Sequence, residues 1–148
     1  MSGWRELRGR RGVVLDTMVW IYLFEDQPKY SAVCSRLVQE AEAGTFSGVI
    51  TPVTAGEVLV KPLQKRRPDI AERYRLALGN LVNIGLCPLD GEVGFMAGAL
   101  RAKYGLPLPD VLQAAMALRE MPSTLITNDK ALKKIVEIKV ILLDDLAP

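Results

Sequence analysis

Gly12-Val13-Val14-Leu15-Asp16-Thr17-Met18-Val19-Trp20-Ile21-Tyr22-Leu23-Phe24 is the stretch on which the fold turns. Val13, Val14 and Leu15 run straight into an acid. A β-branched apolar run without polar alternation predicts a strand buried on both faces, the mark of a parallel sheet covered on both sides. After Asp16 the period changes. Val19, Tyr22 and Leu23 recur at i, i+3, i+4, which predicts a helix. Asp16 therefore stands where a buried strand gives way to a helix. In an open α/β sheet, ligands bind just beyond the carboxyl ends of the strands.

Outward from this stretch the pattern repeats. Asp26-Gln27-Pro28 makes a turn, and a helix runs from Ser31 towards Gly44 on Val33, Leu37, Val38 and Ala41. Val49–Thr51 predicts a second strand. Thr54 is expected to open a helix carrying Val58, Leu59 and Leu63, with a kink at Pro62. Another helix is expected from Pro68 to Leu81, with Ile70, Tyr74, Ala77 and Leu81 inward. Asn83–Leu89 predicts a third strand, and a helix runs from the Asp90 cap to Gly105. A further helix starts at Asp110, a fourth strand covers Thr124–Thr127, a short helix follows Asp129, and Ile138–Leu143 closes the sheet. Such alternation predicts an α/β fold, a mostly parallel sheet between layers of helices. Residues 1–11, with Arg5, Arg8, Arg10 and Arg11, read as a mobile basic tail, and residues 12–148 as a single domain.

Composition narrows the chemistry. The 148 residues, 49% hydrophobic and 24% charged, suit one soluble globular domain. No apolar segment has the length of a bilayer span or a secretory signal, so the expectation is a cytoplasmic protein without a membrane partner. Cys34 and Cys87 are expected as free thiols. The net charge of +2 permits nucleic acid without demanding it. There is no histidine, which excludes Ser-His, Cys-His and His-metal chemistry together. No glycine-rich phosphate loop is present. Catalysis, if any, falls to carboxylates, Lys, Tyr, Cys or a metal held by oxygen.

Four acids share one setting. Asp16 follows V-V-L, Glu57 lies one turn into the helix after the second strand, Asp110 opens P-D-V-L-Q-A-A-M-A-L, and Asp129 follows L-I-T-N. Each alone is explained as a helix cap, and Thr54-Ala55-Gly56-Glu57 is a formal capping box. Together they imply more. Parallel strands deliver their carboxyl ends to one edge, and two carboxylates 4 Å apart repel by about 4 kcal/mol at an effective dielectric near 20. A helix terminus offsets only about 0.3–1 kcal/mol. Such a cluster must take up a proton or a cation. Oxygen ligands without His or Cys select hard ions such as Mg²⁺ or Mn²⁺.

The order V-L-D-T, T-x-x-E-V-L, D-x-x-x-A-A-x-A and L-I-T-N-D, from residue 12 to about 143, resembles the PIN-domain family, and within it the VapC-type toxin ribonucleases of toxin–antitoxin pairs. The resemblance implies a three-layer α/β/α sandwich and an endoribonuclease using one or two Mg²⁺ or Mn²⁺ ions. It places Asp16, Glu57 and Asp110 as metal-holding and catalytic acids, with Asp129 as the more variable fourth. Thr17 and Asn128 become groups that aim the carboxylates or touch substrate. The chain has Val111 where Ala is common after the third acid. A small antitoxin that occludes the pocket and a homodimer are also implied. A phospho-acceptor receiver domain fits less well, since Asp16 has no acidic neighbour and no Lys follows a late strand in the required way. A non-catalytic metal- or RNA-binding module, a PIN nuclease outside any toxin–antitoxin pair, and a nuclease directed at DNA stay open.

Lys61 to Arg75, K-P-L-Q-K-R-R-P-D-I-A-E-R-Y-R, reads either as a solvated surface or as a basic rim that grips RNA through Lys65, Arg66 and Arg67. Mean hydropathy of +0.16 is high for a small domain. Met18, Trp20, Ile21 and Phe24 lie partly off the inward stripe of the first helix, and either fill the core or serve a dimer or antitoxin surface.

Overall fold

The computed structural model describes residues 2–121 and 123–147; Met1 and Pro148, at the ends of the two expected segments, lie outside them. Among the described residues β1 (Val13–Leu15), β2 (Gly48–Ile50), β3 (Ile84–Leu86), β4 (Thr124–Thr127) and β5 (Lys139–Leu142) form one sheet. Every pairing is parallel and the order is β3-β2-β1-β4-β5. The helices are α1 (Ser2–Leu7), α2 (Thr17–Phe24), α3 (Ser31–Glu42), α4 (Pro52–Gln64), α5 (Pro68–Gly79), α6 (Gly91–Tyr104), α7 (Leu108–Ala117) and α8 (Leu143–Leu146), with a 3-10 helix at Lys130–Lys134.

β1 is the central strand, which is why its residues show no polar alternation: both faces are covered. Val13 and Leu15 join Val19, Trp20, Leu37, Ile50 and Ile126 in one core. Val14 points the other way, into a second core with Ala97, Val111, Ala114, Leu125 and Val140. Successive side chains of a strand face opposite sides, so two cores sandwich the sheet. The result is the expected α/β/α layering. It also sets Asp16 at the middle of the carboxyl edge, between whatever follows β2 and whatever follows β4.

Local rules account for several boundaries. Asp16 caps α2 by accepting the Thr17 N–H at 2.9 Å. Asp90 caps α6 by accepting the Val93 N–H at 3.0 Å, and Gly105 ends it in the left-handed conformation at φ +70°. α4 departs from expectation. It begins at Pro52, not Thr54, because proline at the first helical position is already shaped for a helix and Thr51 precedes it in extended geometry. α4 continues past Pro62 to Gln64. β3 is shorter than expected, and as an edge strand buries only Ile84. On α5 the fully buried residues are Ala71 and Leu78, while Ala77 is exposed. Cys34 is a buried free thiol, pushed up to about 12 by burial, and Cys87 is a half-buried one.

The amino-terminal segment corrects the sequence reading. Residues 2–7 are not a tail but the docked helix α1. Its Trp4 indole N–H donates to the Leu146 carbonyl at 2.9 Å, the Arg36 guanidinium lies 4.0 Å over the Trp4 ring, and Leu7 is completely buried. The Arg10 guanidinium donates to Thr124 Oγ1 at 2.6 Å. The partners are supplied by α8 and other distant segments, so local sequence shows four arginines and not the surface that receives them. Leu7→Ala is expected to cost about 2–5 kcal/mol, the usual range for emptying a buried leucine site. Thermal or denaturant unfolding checks this, and an unchanged midpoint would restore the mobile tail.

Candidate active site

The carboxyl edge of the sheet opens on a cleft of about 660 Å³ lined by Asp16, Thr17, Met18, Ile21, Glu57, Val60, Asp110, Thr127, Asn128 and Asp129. All four expected acids reach it. Asp16 arrives from the end of β1. Glu57 stands one turn into α4, after β2. Asp129 leaves β4 and caps the 3-10 helix by accepting the Ala131 N–H at 2.9 Å. Asp110 comes by another route, from the first turn of α7, which follows α6 rather than a strand and packs against β1 and β4.

Asp16 is held on both oxygens. Oδ1 accepts from the Thr17 N–H and from Gln113 Nε2 at 3.1 Å, and Oδ2 accepts from Thr127 Oγ1 at 2.7 Å. Glu57 Oε1 accepts from Thr17 Oγ1 at 2.6 Å. The capping-box reading of Thr54 and Glu57 therefore falls. Thr54 lies inside α4, completely buried, within 3.0 Å of Thr17 Oγ1 and accepting from Gln113 Nε2 at 2.9 Å. Asn128 lines the cleft, but its amide donates to the Tyr22 hydroxyl at 2.8 Å. The threonine beside it, Thr127, is the group that touches Asp16.

Asp110 differs from the other acids. It is half-buried, and its carboxyl has no hydrogen bond or ion pair with another described residue. Its pKa is raised above the ordinary 3.8, by burial first and then by the charges of Asp16, Asp129 and Glu57. Burial disfavours the ionised form, and nearby anions disfavour it further. The four acids line one cleft, and the upward shift at Asp110 is the direction that placement requires. Among the described residues no three acids lie close enough together to form a complete ion site by themselves. Among the described residues no lysine or arginine lines the cleft to neutralise it. The donor set is carboxylate and hydroxyl oxygen in a chain without histidine, which fits a hard divalent ion such as Mg²⁺ or Mn²⁺.

Other expected residues lie elsewhere. Lys65, Arg66 and Arg67 are exposed at the end of α4 and the turn into α5, with Arg66 at φ +57°, outside the cleft lining. Lys65 and Arg66 have no ion pair among the described residues. Arg67 forks onto Asp69 at 3.0 and 3.1 Å, and this guanidinium pulls the Asp69 carboxyl down to about 2. Trp20 is core, completely buried. Met18, Ile21 and Phe24 instead line a second groove beside the cleft, with Tyr22, Val58 and Tyr74 and with the polar Glu25, Gln27, Glu57 and Lys61. Sequence reasoning missed Gln113, Thr51, Thr54 and Thr127 as site residues. The one available signal was a glutamine in the otherwise apolar stripe V-L-Q-A-A-M-A of α7.

The family profile of the PIN domain matches residues 13–138. The chain belongs to the PIN-domain family. Solved structures agree in fold. VapBC2 of Rickettsia felis, bound to a DNA fragment from its promoter, superposes with a TM-score of 0.69 at 17% identity, over 90% of this chain and 98% of that one. A toxin–antitoxin complex from Klebsiella pneumoniae gives 0.68 at 23% identity, over 89% and 98%. VapBC-1 of nontypeable Haemophilus influenzae gives 0.65 at 19% identity, over 91% and 98%. At these identities the likeness is one of PIN fold. No curated protein is significantly similar to the chain in sequence.

Proposed function

We propose that this PIN domain is a divalent-ion-dependent endoribonuclease and the toxin of a toxin–antitoxin pair. The observation that carries the reading is the meeting of Asp16, Glu57, Asp110 and Asp129 in one cleft whose lining, among the described residues, holds no basic side chain. PIN domains are generally nucleases, and such a cleft suits phosphodiester hydrolysis. Asp16, Glu57 and Asp110 would hold Mg²⁺ or Mn²⁺, with Asp129 completing the set. When bound, such an ion supplies charge neutralisation at the phosphate and a more acidic water. Thr127 and Gln113 fix the Asp16 oxygens, and Thr17 fixes Glu57. The deciding experiment is cleavage of single-stranded RNA with Mn²⁺ against an EDTA control. Cleavage that persists in EDTA, or none with any divalent ion, overturns the reading; DNA cut in preference to RNA would move it to a deoxyribonuclease.

The basic rim supplies a second expectation. Lys65 and Arg66 are free to meet phosphates, whereas Arg67 is shared with Asp69. Lys65→Ala and Arg66→Ala should each weaken RNA binding and lower the slope of log K against log salt by roughly 1, and Arg67→Ala by less. Filter binding across a salt series reads this. The largely apolar groove of about 290 Å³ beside the cleft, with Lys61, Glu25 and Glu57 also in its lining, suits an antitoxin segment that carries apolar side chains. The solved complexes named above support that partner. A homodimer belongs to the same reading.

A further inference from the structure

Buried polar groups in a protein interior are hydrogen-bonded because an unmet donor or acceptor costs about 1–3 kcal/mol. Gln113 is 1% exposed, in a helix otherwise packed with alanine, valine and methionine, and every atom of its amide is used. Oε1 accepts from Thr51 Oγ1. One Nε2 hydrogen goes to Asp16 Oδ1 at 3.1 Å and the other to Thr54 Oγ1 at 2.9 Å.

The direction of each bond follows from the donor inventory. An ionised carboxylate only accepts, and a hydroxyl has one hydrogen to give. Thr17 must therefore give its hydrogen to Glu57 at 2.6 Å. That leaves the Thr17 oxygen as acceptor for Thr54, 3.0 Å away. Thr54 in turn accepts from Gln113. The opposite amide orientation would turn Oε1 towards the Asp16 carboxylate. The chain thus runs one way, from Thr51 to Gln113, and there it splits. One branch ends on Asp16; the other passes through Thr54 and Thr17 and ends on Glu57. Three threonines from β1–α2 and β2–α4 are tied to α7, the helix that also carries Asp110.

We propose that Gln113 is a positioning residue of the acidic cleft: by this branched chain of hydrogen bonds it holds Asp16 and Glu57 in a single arrangement in which both are acceptors facing a divalent ion. The inference rests on the metal-nuclease reading. It goes beyond that reading by making the spacing of two acids depend on one buried amide. Partners that orient metal ligands are typically worth 10–100-fold in metal affinity.

The test is Mn²⁺ titration of the full chain by calorimetry, with melting curves confirming that each variant is folded. Gln113→Leu keeps the side-chain size and removes both donors; its Mn²⁺ affinity should fall about 10–100-fold. Cleavage should lose kcat with RNA KM nearly unchanged. Thr54→Val keeps shape and cuts only the branch to Glu57, so it should lose less. Thr54→Ser keeps the hydroxyl and should bind Mn²⁺ like the unaltered protein. If Gln113→Leu does not fold, the Thr54 pair decides alone. Gln113→Leu and Thr54→Val binding Mn²⁺ as the unaltered protein does would overturn the proposal, and so would Thr54→Ser failing as badly as Thr54→Val. If the unaltered chain itself binds no Mn²⁺ and cuts nothing, the metal-nuclease reading has failed, and the positioning role falls with it.

Discussion

Asp16→Asn is expected to lose roughly 10³-fold or more of the ion-dependent RNA cleavage while melting within a few degrees of the unaltered protein. The fold side of this follows from the contacts. Asparagine keeps one carbonyl oxygen, which goes on accepting from the Thr17 N–H and Gln113 Nε2. The new amide nitrogen faces Thr127 Oγ1, which now donates to Asp16 and accepts from the Asp129 N–H at 3.1 Å. The Thr127 hydroxyl must turn and accept instead, so the cost is of the order of one hydrogen bond, about 1 kcal/mol. That shifts the melting midpoint of a domain this size by roughly 2–8 °C. The chemical side is larger, because a charge is removed where an ion would be held. An ion's stabilisation of the reacting phosphate is worth several kcal/mol, and each 1.36 kcal/mol is tenfold in rate. A role for Asp16 as helix cap alone predicts cleavage intact and little change in stability, because asparagine caps a helix as well as aspartate does. Paired melting and cleavage assays separate the two, and normal Mn²⁺-dependent cleavage by the variant would remove Asp16 from the site.

Why some of this was legible in the sequence and some was not is a matter of distance along the chain. β1 could be read because its cause is local: three apolar residues with no polar alternation need cover on both faces, and a central parallel strand supplies it. The Asp90 cap, the Gly105 stop and the Thr124–Thr127 strand are local in the same way. Asp16, Glu57 and Asp129 came together as expected because parallel strands send their carboxyl ends to one edge, so order in sequence becomes position in space. The failures are cases where a distant partner outweighed a local rule. Thr54 and Glu57 match a capping box, yet Pro52 starts the helix earlier and Thr17, 40 residues from Glu57, takes the carboxylate. Gln113 carries no legible role in the sequence until Asp16, 97 positions away, is known to lie beside it. The α1 helix docks on Leu146, 142 positions from Trp4. Periodicity reports which face of an element is buried. It does not report which polar group waits there.

Asp110→Asn should invert the usual sign of a core-site mutation: without divalent ions it should raise the melting temperature at pH 7, and it should abolish cleavage. The reason is the raised pKa. Below the ordinary value of 3.8 the Asp110 carboxyl carries its proton in the folded and the unfolded chain alike, and its surroundings cost nothing. As pH climbs past that value, the unfolded chain releases the proton more readily than the folded one. Stability is therefore lost with rising pH up to the raised folded value, and the penalty is constant beyond it. Burial is its first cause and repulsion from Asp16, Asp129 and Glu57 the rest, and a neutral amide of the same shape escapes both. The advantage of the asparagine variant should thus be present at pH 7 in EDTA and vanish below about pH 4. Added Mn²⁺ should reverse the ranking, because an ion that binds only the folded state stabilises by RT ln(1 + [L]/Kd), and the variant has lost a ligand. Melting curves at the two pH values, with and without Mn²⁺, give the four numbers needed. A variant less stable than the unaltered protein at pH 7 in EDTA, and no further separated from it by Mn²⁺, would mean that Asp110 bears no electrostatic strain and that the four acids do not act as one site.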